Sequence, residues 1–160
     1  MEIRKATMDD LGIIAKVEAD CFPPAEAAGI EEFRERLSVY PECFWLLFDG
    51  NKLVGFVNGM RTDEEDLADE MYERAGLHQP DGKWQMIFGV DVVPKYRRRG
   101  CAEQLLRRAI QDAKDQKLEG VVLTCKERLI PYYAKFGFYN EGVSKSVHGN
   151  AVWYQMRLKL

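Results

Sequence analysis

The chain has 160 residues, 46% of them hydrophobic and 31% charged, and a formal net charge of −3. This composition excludes a disordered or fibrous chain, no apolar run reaches membrane-spanning length, and an acidic balance disfavours a nucleic-acid binder. One domain covering 1–160, with a sizeable core, is the expectation for this length. The four cysteines, Cys21, Cys43, Cys101 and Cys125, are widely spaced and form no C-x-x-C. With only two histidines, His78 and His148, no metal site is expected. A reducing, cytoplasmic setting is the simplest account of these thiols.

Residues 2–6 read as a first strand, so no leader is expected before the fold. Thr7 followed by Asp10 has the form of an N-cap with an acidic partner. Leu11, Ile14, Ala15, Glu18 and Ala19 continue a helix, which Cys21-Phe22-Pro23-Pro24 breaks. A second helix is predicted at about 30–38, ending near Tyr40-Pro41. Residues 43–48 and 53–60 read as two strands joined by Asp49-Gly50-Asn51, a strong hairpin signal. Gly55 and Gly59 in the second of these mark a close backbone approach or a bend. Six of the eight residues 63–70 are acidic. A solvated helical face is the usual fate of such a run. His78 to Gly82 reads as a loop, with His78 exposed.

Residues 83–93 form an apolar, β-branched run that stops at Pro94 and reads as a buried strand. Ala102, Leu105, Leu106, Ala109, Ile110 and Ala113 then recur at helical spacing. Between strand and helix lies the basic turn Lys95-Tyr96-Arg97-Arg98-Arg99-Gly100. The first turn of a helix has amide N–H groups without internal partners and a dipole that favours negative charge. Arginines add side-chain charge suited to phosphate, and Gly100 permits close backbone approach. The stretch therefore reads as an anion site, and on an acidic protein a small polyanion suits it better than a long one. Residues 120–125 read as another buried strand, and 138–143 and 151–160 as the last two. Val152, Tyr154, Met156 and Leu158 alternate with Trp153, Gln155, Arg157 and Lys159, as a half-exposed strand requires.

Arg97-x-x-Gly100-x-Ala102 resembles the pyrophosphate loop, Arg/Gln-x-x-Gly-x-Gly/Ala, of the GNAT superfamily of acyl-CoA N-acyltransferases. Leu129-Ile130-Pro131-Tyr132-Tyr133-Ala134-Lys135-Phe136-Gly137-Phe138 resembles a second signature of that family, Ala-x-x-Phe-Tyr-x-Lys-x-Gly-Phe. Its proline is closer to the arylalkylamine (serotonin) N-acetyltransferase branch, as is Phe22-Pro23-x-x-Glu26-Ala27 on the acceptor side. The resemblance implies an α/β (α+β) GNAT fold: a mixed, mostly antiparallel sheet of about seven strands with helices on both faces. It implies acetyl-CoA as cosubstrate. Backbone of Asp91, Val92 and Val93 would pair with the pantetheine arm as an added strand. The pyrophosphate would meet Arg98, Arg99, Gly100, Cys101, Ala102 and Glu103, with Lys126 and Tyr133 also on the cofactor side. Lys126 stands where many members have Asn.

By the same matching, Tyr133 would protonate the leaving thiolate, since a phenol is protonated at neutral pH. Tyr132 is its competitor. A strand N–H near Val90 or Asp91 would polarise the thioester carbonyl. The two strand histidines of the serotonin enzymes are replaced here by Ile87 and Gly89, so the arylalkylamine specificity does not carry over. Asp91 acting through water, or Glu26, remains as base, and Gln85 would orient a water. Residues 63–70 would then be an acidic lip beside the acceptor entrance, drawing in a cationic amine. His148 has two readings, a satisfied surface histidine or a contact to acceptor. The implied function is acetyl transfer to a small primary amine, without nucleic acid or membrane, by a monomer or homodimer. The alternative keeps the fold as a CoA-binding sensor without a competent base. No Gly-Lys-Ser/Thr is present, which excludes a P-loop hydrolase.

Overall fold

The computed structural model describes residues 1–160. Two compact units divide the chain: residues 1–59 with 89–109, and residues 60–88 with 110–160.

The first unit is built on a four-stranded antiparallel sheet of order β1-β2-β3-β6. Its strands are β1 (Glu2–Lys5), β2 (Phe44–Asp49), β3 (Lys52–Asn58) and β6 (Gly89–Val92). Thr7 and Asp10 form the expected capping box ahead of α1 (Leu11–Cys21): Thr7 accepts from the Asp9 amide, and Asp10 accepts from the Thr7 amide. In α2 (Ile30–Val39) it is Gly29 that opens the helix, with Glu32 reaching back to its amide. Phe33, Tyr40, Phe44 and Phe56 are fully buried and meet ring on ring, which fastens α2 to the sheet. At Gly55 a Cβ would stand 2.5 Å from the Asp91 carbonyl oxygen and 3.2 Å from Leu105. The expected close approach is therefore real, and it brings β3, β6 and α4 together. Helix α4 (Cys101–Asp115) buries Cys101, Leu105, Leu106, Ala109, Ile110 and Ala113, as its spacing required.

The second unit carries a five-stranded sheet of order β4-β5-β7-β9-β8. These are β4 (Arg61–Thr62), β5 (Trp84–Ile87), β7 (Gly120–Cys125), β8 (Tyr139–Val143) and β9 (Tyr154–Lys159). Only β5 and β7 pair in parallel. Met86, Val121, Val122, Leu123 and Met156 form its buried centre. Two short helices, α3 (Asp69–Glu73) and α5 (Ile130–Ala134), complete it.

The architecture is the mixed, mostly antiparallel one expected, carried by nine strands in two sheets rather than about seven in one, and two further differences are local. The run 83–93 is two strands, because Phe88 leaves the ladder and β5 and β6 pair in different sheets. The acidic run is helical only from Asp69, since Asp63 and Asp66 make long-range contacts instead: Asp63 accepts from the Lys83 amide and Asp66 from Arg157.

Candidate functional site

The basic turn is a folded device in the first unit. Pro94 to Tyr96 make a single 3-10 turn, Arg97 is extended, and Arg98 (φ 62°) and Gly100 (φ 79°) both take the left-handed conformation. Alternation of this kind turns successive amides toward one concavity, at the point where α4 begins. Space around Gly100 is open, with nothing within 4 Å of where a Cβ would be. The arginines divide their work. Arg97 Nε donates to the Val92 carbonyl at 3.0 Å, folding the turn back on β6. Arg99 lies 5.0 Å from the Tyr96 ring, whose hydroxyl donates to Asp49. Arg98 and Arg99 are exposed, and Glu103 in the first helical turn faces Arg107 at 3.5 Å.

β6 is the last strand of its sheet, so one of its sides is an edge. The Val93 amide donates to Val54 at 2.9 Å. Antiparallel pairing alternates, and with Phe56 opposite Asp91 the Asp91 amide also turns to β3. Val90 and Val92 turn their backbone groups to the edge. Of the three residues expected to pair with a pantetheine arm, only Val92 has that orientation, and Val90 joins it. By the same alternation the Val90 N–H, and not that of Asp91, faces the edge.

Asp91 points its side chain into the interior, at 0% exposure. Its two carboxyl oxygens have no hydrogen-bond donor, and neither has Glu18 Oε1. Glu18 Oε2 accepts from the Ala28 amide at 2.9 Å. Burial, and then the neighbouring Glu18, push the Asp91 carboxyl well above the usual carboxylate range. Glu26, the other candidate base, is half-buried in the turn after α1, where its amide donates to Pro23.

In the second unit, Tyr133 on α5 is 8% exposed and packs edge-on against Tyr132 and Phe138. Lys126 follows β7, with its ammonium 5.7 Å from the Trp153 ring. His148 stacks on Tyr72 at 5.1 Å, and its carbonyl accepts from Trp153 Nε1. His78 is not the exposed loop residue expected. It is 8% exposed, and its Nδ1 accepts from the Arg61 amide at 3.0 Å, because β4 needs a partner there. Gln85 is likewise engaged, donating to the Met60 and Met86 carbonyls. Glu64, Asp66, Asp69 and Glu70 line a cavity of about 770 Å³. Much of their charge is already paired: Asp66 with Arg157, Asp69 with the Ser146 hydroxyl and Val147 amide, and Glu70 with Arg74.

A model of the acetyltransferase (GNAT) family matches residues 12–138. The chain belongs to that family. Among curated members, this GNAT chain is 27% identical to serotonin N-acetyltransferase of Mesocricetus auratus, over 99% of the chain and 77% of the relative. Its fold matches the loading GNATL domain of CurA from Lyngbya majuscula with a TM-score of 0.85, at 17% identity, covering 99% and 96% of the two chains. It also matches the PaiA N-acetyltransferase of Thermoplasma acidophilum, solved with coenzyme A, with a TM-score of 0.73 at 16% identity, covering 99% and 98%.

The burial of Glu18 close to Asp91 is not read from the sequence. A signal for it existed. Glu18 lies four residues after Ile14, which places a carboxylate on the buried stripe of α1.

Proposed function

We propose that this GNAT chain transfers an acetyl group from acetyl-CoA directly to a primary amine, small and cationic. The observation that carries the reading is the turn before α4. Arg98 and Gly100 are left-handed, the space over Gly100 is open, and two arginines stand beside amides of a helix start. That donor set fits a pyrophosphate. The coenzyme A held by the solved PaiA relative supports the same ligand here.

When bound, acetyl-CoA supplies an activated acetyl thioester. The chain's own residues do the rest. Arg98, Arg99 and the amides from Gly100 to Glu103 hold the diphosphate. The edge of β6 at Val90 and Val92 takes an extended amide chain as an added strand. The Val90 N–H stabilises negative charge developing on a carbonyl oxygen. Asp91 removes a proton from the ammonium through a water. Tyr133 donates its phenolic proton to the departing thiolate.

Thermal unfolding with and without acetyl-CoA, in wild type and Gly100→Glu, tests the ligand. Acetyl-CoA turnover on a panel of amines then tests the reaction. A melting temperature raised in wild type and unchanged in the variant supports the loop. Stabilisation without turnover on any amine makes the chain a CoA-binding sensor. No stabilisation at saturating acetyl-CoA overturns the proposal.

A further inference from the structure

The interior of the first unit holds two buried acids whose carboxyls converge on Gly89. Glu18 comes from α1 and is 7% exposed, and Asp91 comes from β6 and is 0% exposed. Three polar atoms converge on the missing side chain of Gly89. From where its Cβ would be, Asp91 Oδ1 is 3.1 Å away, Asn58 Nδ2 3.7 Å and Glu18 Oε1 4.0 Å. Glu18 is the charged group that acts most strongly on Asp91. Yet both Asp91 oxygens and the facing Glu18 oxygen lack a donor. Burying an unbonded carboxylate is costly, and burying two beside each other costs more. One proton placed between them removes both problems at once.

We propose that Glu18 and Asp91 form a proton-sharing carboxyl pair, with Glu18 the positioning residue for Asp91. The assignment deepens the proposed function, in which Asp91 is the base, and rests on that reading for its catalytic consequence alone. Three ionisable groups act on Asp91. Glu18 and Cys21 lie on α1, and Arg36 lies on α2. Arg36 donates to Asn58 Oδ1 at 3.0 Å, so its charge reaches the pair through the Asn58 amide. Glu18 is fixed by the Ala28 amide, which engages Oε2 and leaves Oε1 for Asp91. Like charges this close cannot both ionise at the usual pH, so the pair gives up its protons in two separated steps. Between the two steps the pair holds one proton and one negative charge. Above it both acids are ionised, and this doubly charged form is the strong base. The ammonium N–H bond breaks with its electrons left on nitrogen. The proton passes to the pair, which returns to its singly protonated form.

The test has one arm that needs no activity. Infrared difference spectra of the full chain between acid and alkaline pH read the C=O stretch of a protonated carboxylic acid. Wild type is expected to keep one such band at neutral pH and to lose it at higher pH. Glu18→Gln and Asp91→Asn should each abolish the neutral-pH band, because an amide then donates to the remaining carboxylate. Two independent acids would lose half the signal in each variant, which overturns the pair, as does the absence of any band in wild type. The wild-type titration stands even if a variant does not fold. In the activity arm, the acidic limb of the kcat/KM profile for amine acetylation should move at least one pH unit lower in Glu18→Gln. A purely structural Glu18 would lower the rate at every pH without moving the limb. A wild type that shows the band but turns over no amine refutes the proposed function and leaves the pair intact.

Discussion

Arg97 Nε reaches back five residues to the carbonyl of Val92 at 3.0 Å, so the arginine of the motif holds the turn in shape. Arg98 carries the left-handed backbone and an exposed guanidinium. The two should fail differently. Arg97→Ala is expected to lower stability by about 1 kcal/mol, or roughly 2–4 °C for a chain of this size. Arg98→Ala is expected to leave the ligand-free melting temperature unchanged and reduce the rise produced by acetyl-CoA. Paired thermal scans read both quantities, and equal losses in the two variants would deny this division of labour.

Gly55 allows β6 to lie where it does. A methyl group there would sit 2.5 Å from the Asp91 carbonyl oxygen, and that oxygen belongs to backbone that has to move. Gly55→Ala should cost roughly 1–3 kcal/mol as an overpacked core position. Gly12 provides the contrast. It is exposed on α1 with nothing within 4 Å of its Cβ position. Gly12→Ala should stabilise by about 0.5–1 kcal/mol through helix propensity. Urea unfolding of the two variants measures this opposition in sign.

How much of this was legible depended on whether a residue's partner is near in sequence. Helix α4 and its basic N-terminal turn were readable because periodicity and capping are local, and so was the Thr7–Asp10 box. His78 was misread because what buries it is the Arg61 amide, supplied by a two-residue strand too short to register in the sequence. The split of 83–93 depends on which neighbour each half pairs with, β7 or β3, and a continuous apolar run carries no record of that. Asp91 stands out by motif position, but Glu18, buried near it, comes from α1 and reads as one more polar residue of a helix.

The Arg4–Asp10 pair gives a pH dependence with a definite sign. Arg4 meets Asp10 with two hydrogen bonds, at 2.8 and 2.9 Å, and Asp10 also accepts from the Thr7 amide at 2.8 Å. Chiefly the Arg4 hydrogen bond holds the Asp10 carboxyl below its usual value of 3.8. A carboxyl lowered by folding favours the native state when ionised. Its contribution is complete above the unfolded value and is lost as pH falls through the native one. The Arg4 side chain is 42% exposed, so solvent screening limits the gain to about 1 kcal/mol. Asp10→Asn should therefore be less stable than wild type at pH 7, with the gap closing in acid. Urea midpoints across that range measure it, and a gap independent of pH would assign the effect to the cap alone.

Tyr133 and Tyr132 are adjacent on one short helix and differ mainly in burial. Tyr133 is buried, whereas Tyr132 is half-exposed beneath the Lys135 ammonium at 4.7 Å. Removing the Tyr133 hydroxyl leaves a ring still packed edge-on to Tyr132 and Phe138, so the fold should survive. If that hydroxyl protonates the leaving thiolate, Tyr133→Phe loses about 10²–10⁴-fold in kcat, the usual worth of a positioned acid. Its melting temperature should still rise with acetyl-CoA as wild type does. Tyr132→Phe should keep full turnover. Acetyl-CoA consumption and thermal scans on both variants decide between them. A large loss in Tyr132→Phe with Tyr133→Phe unaffected would reverse the assignment, because only one of the two hydroxyls can be the acid.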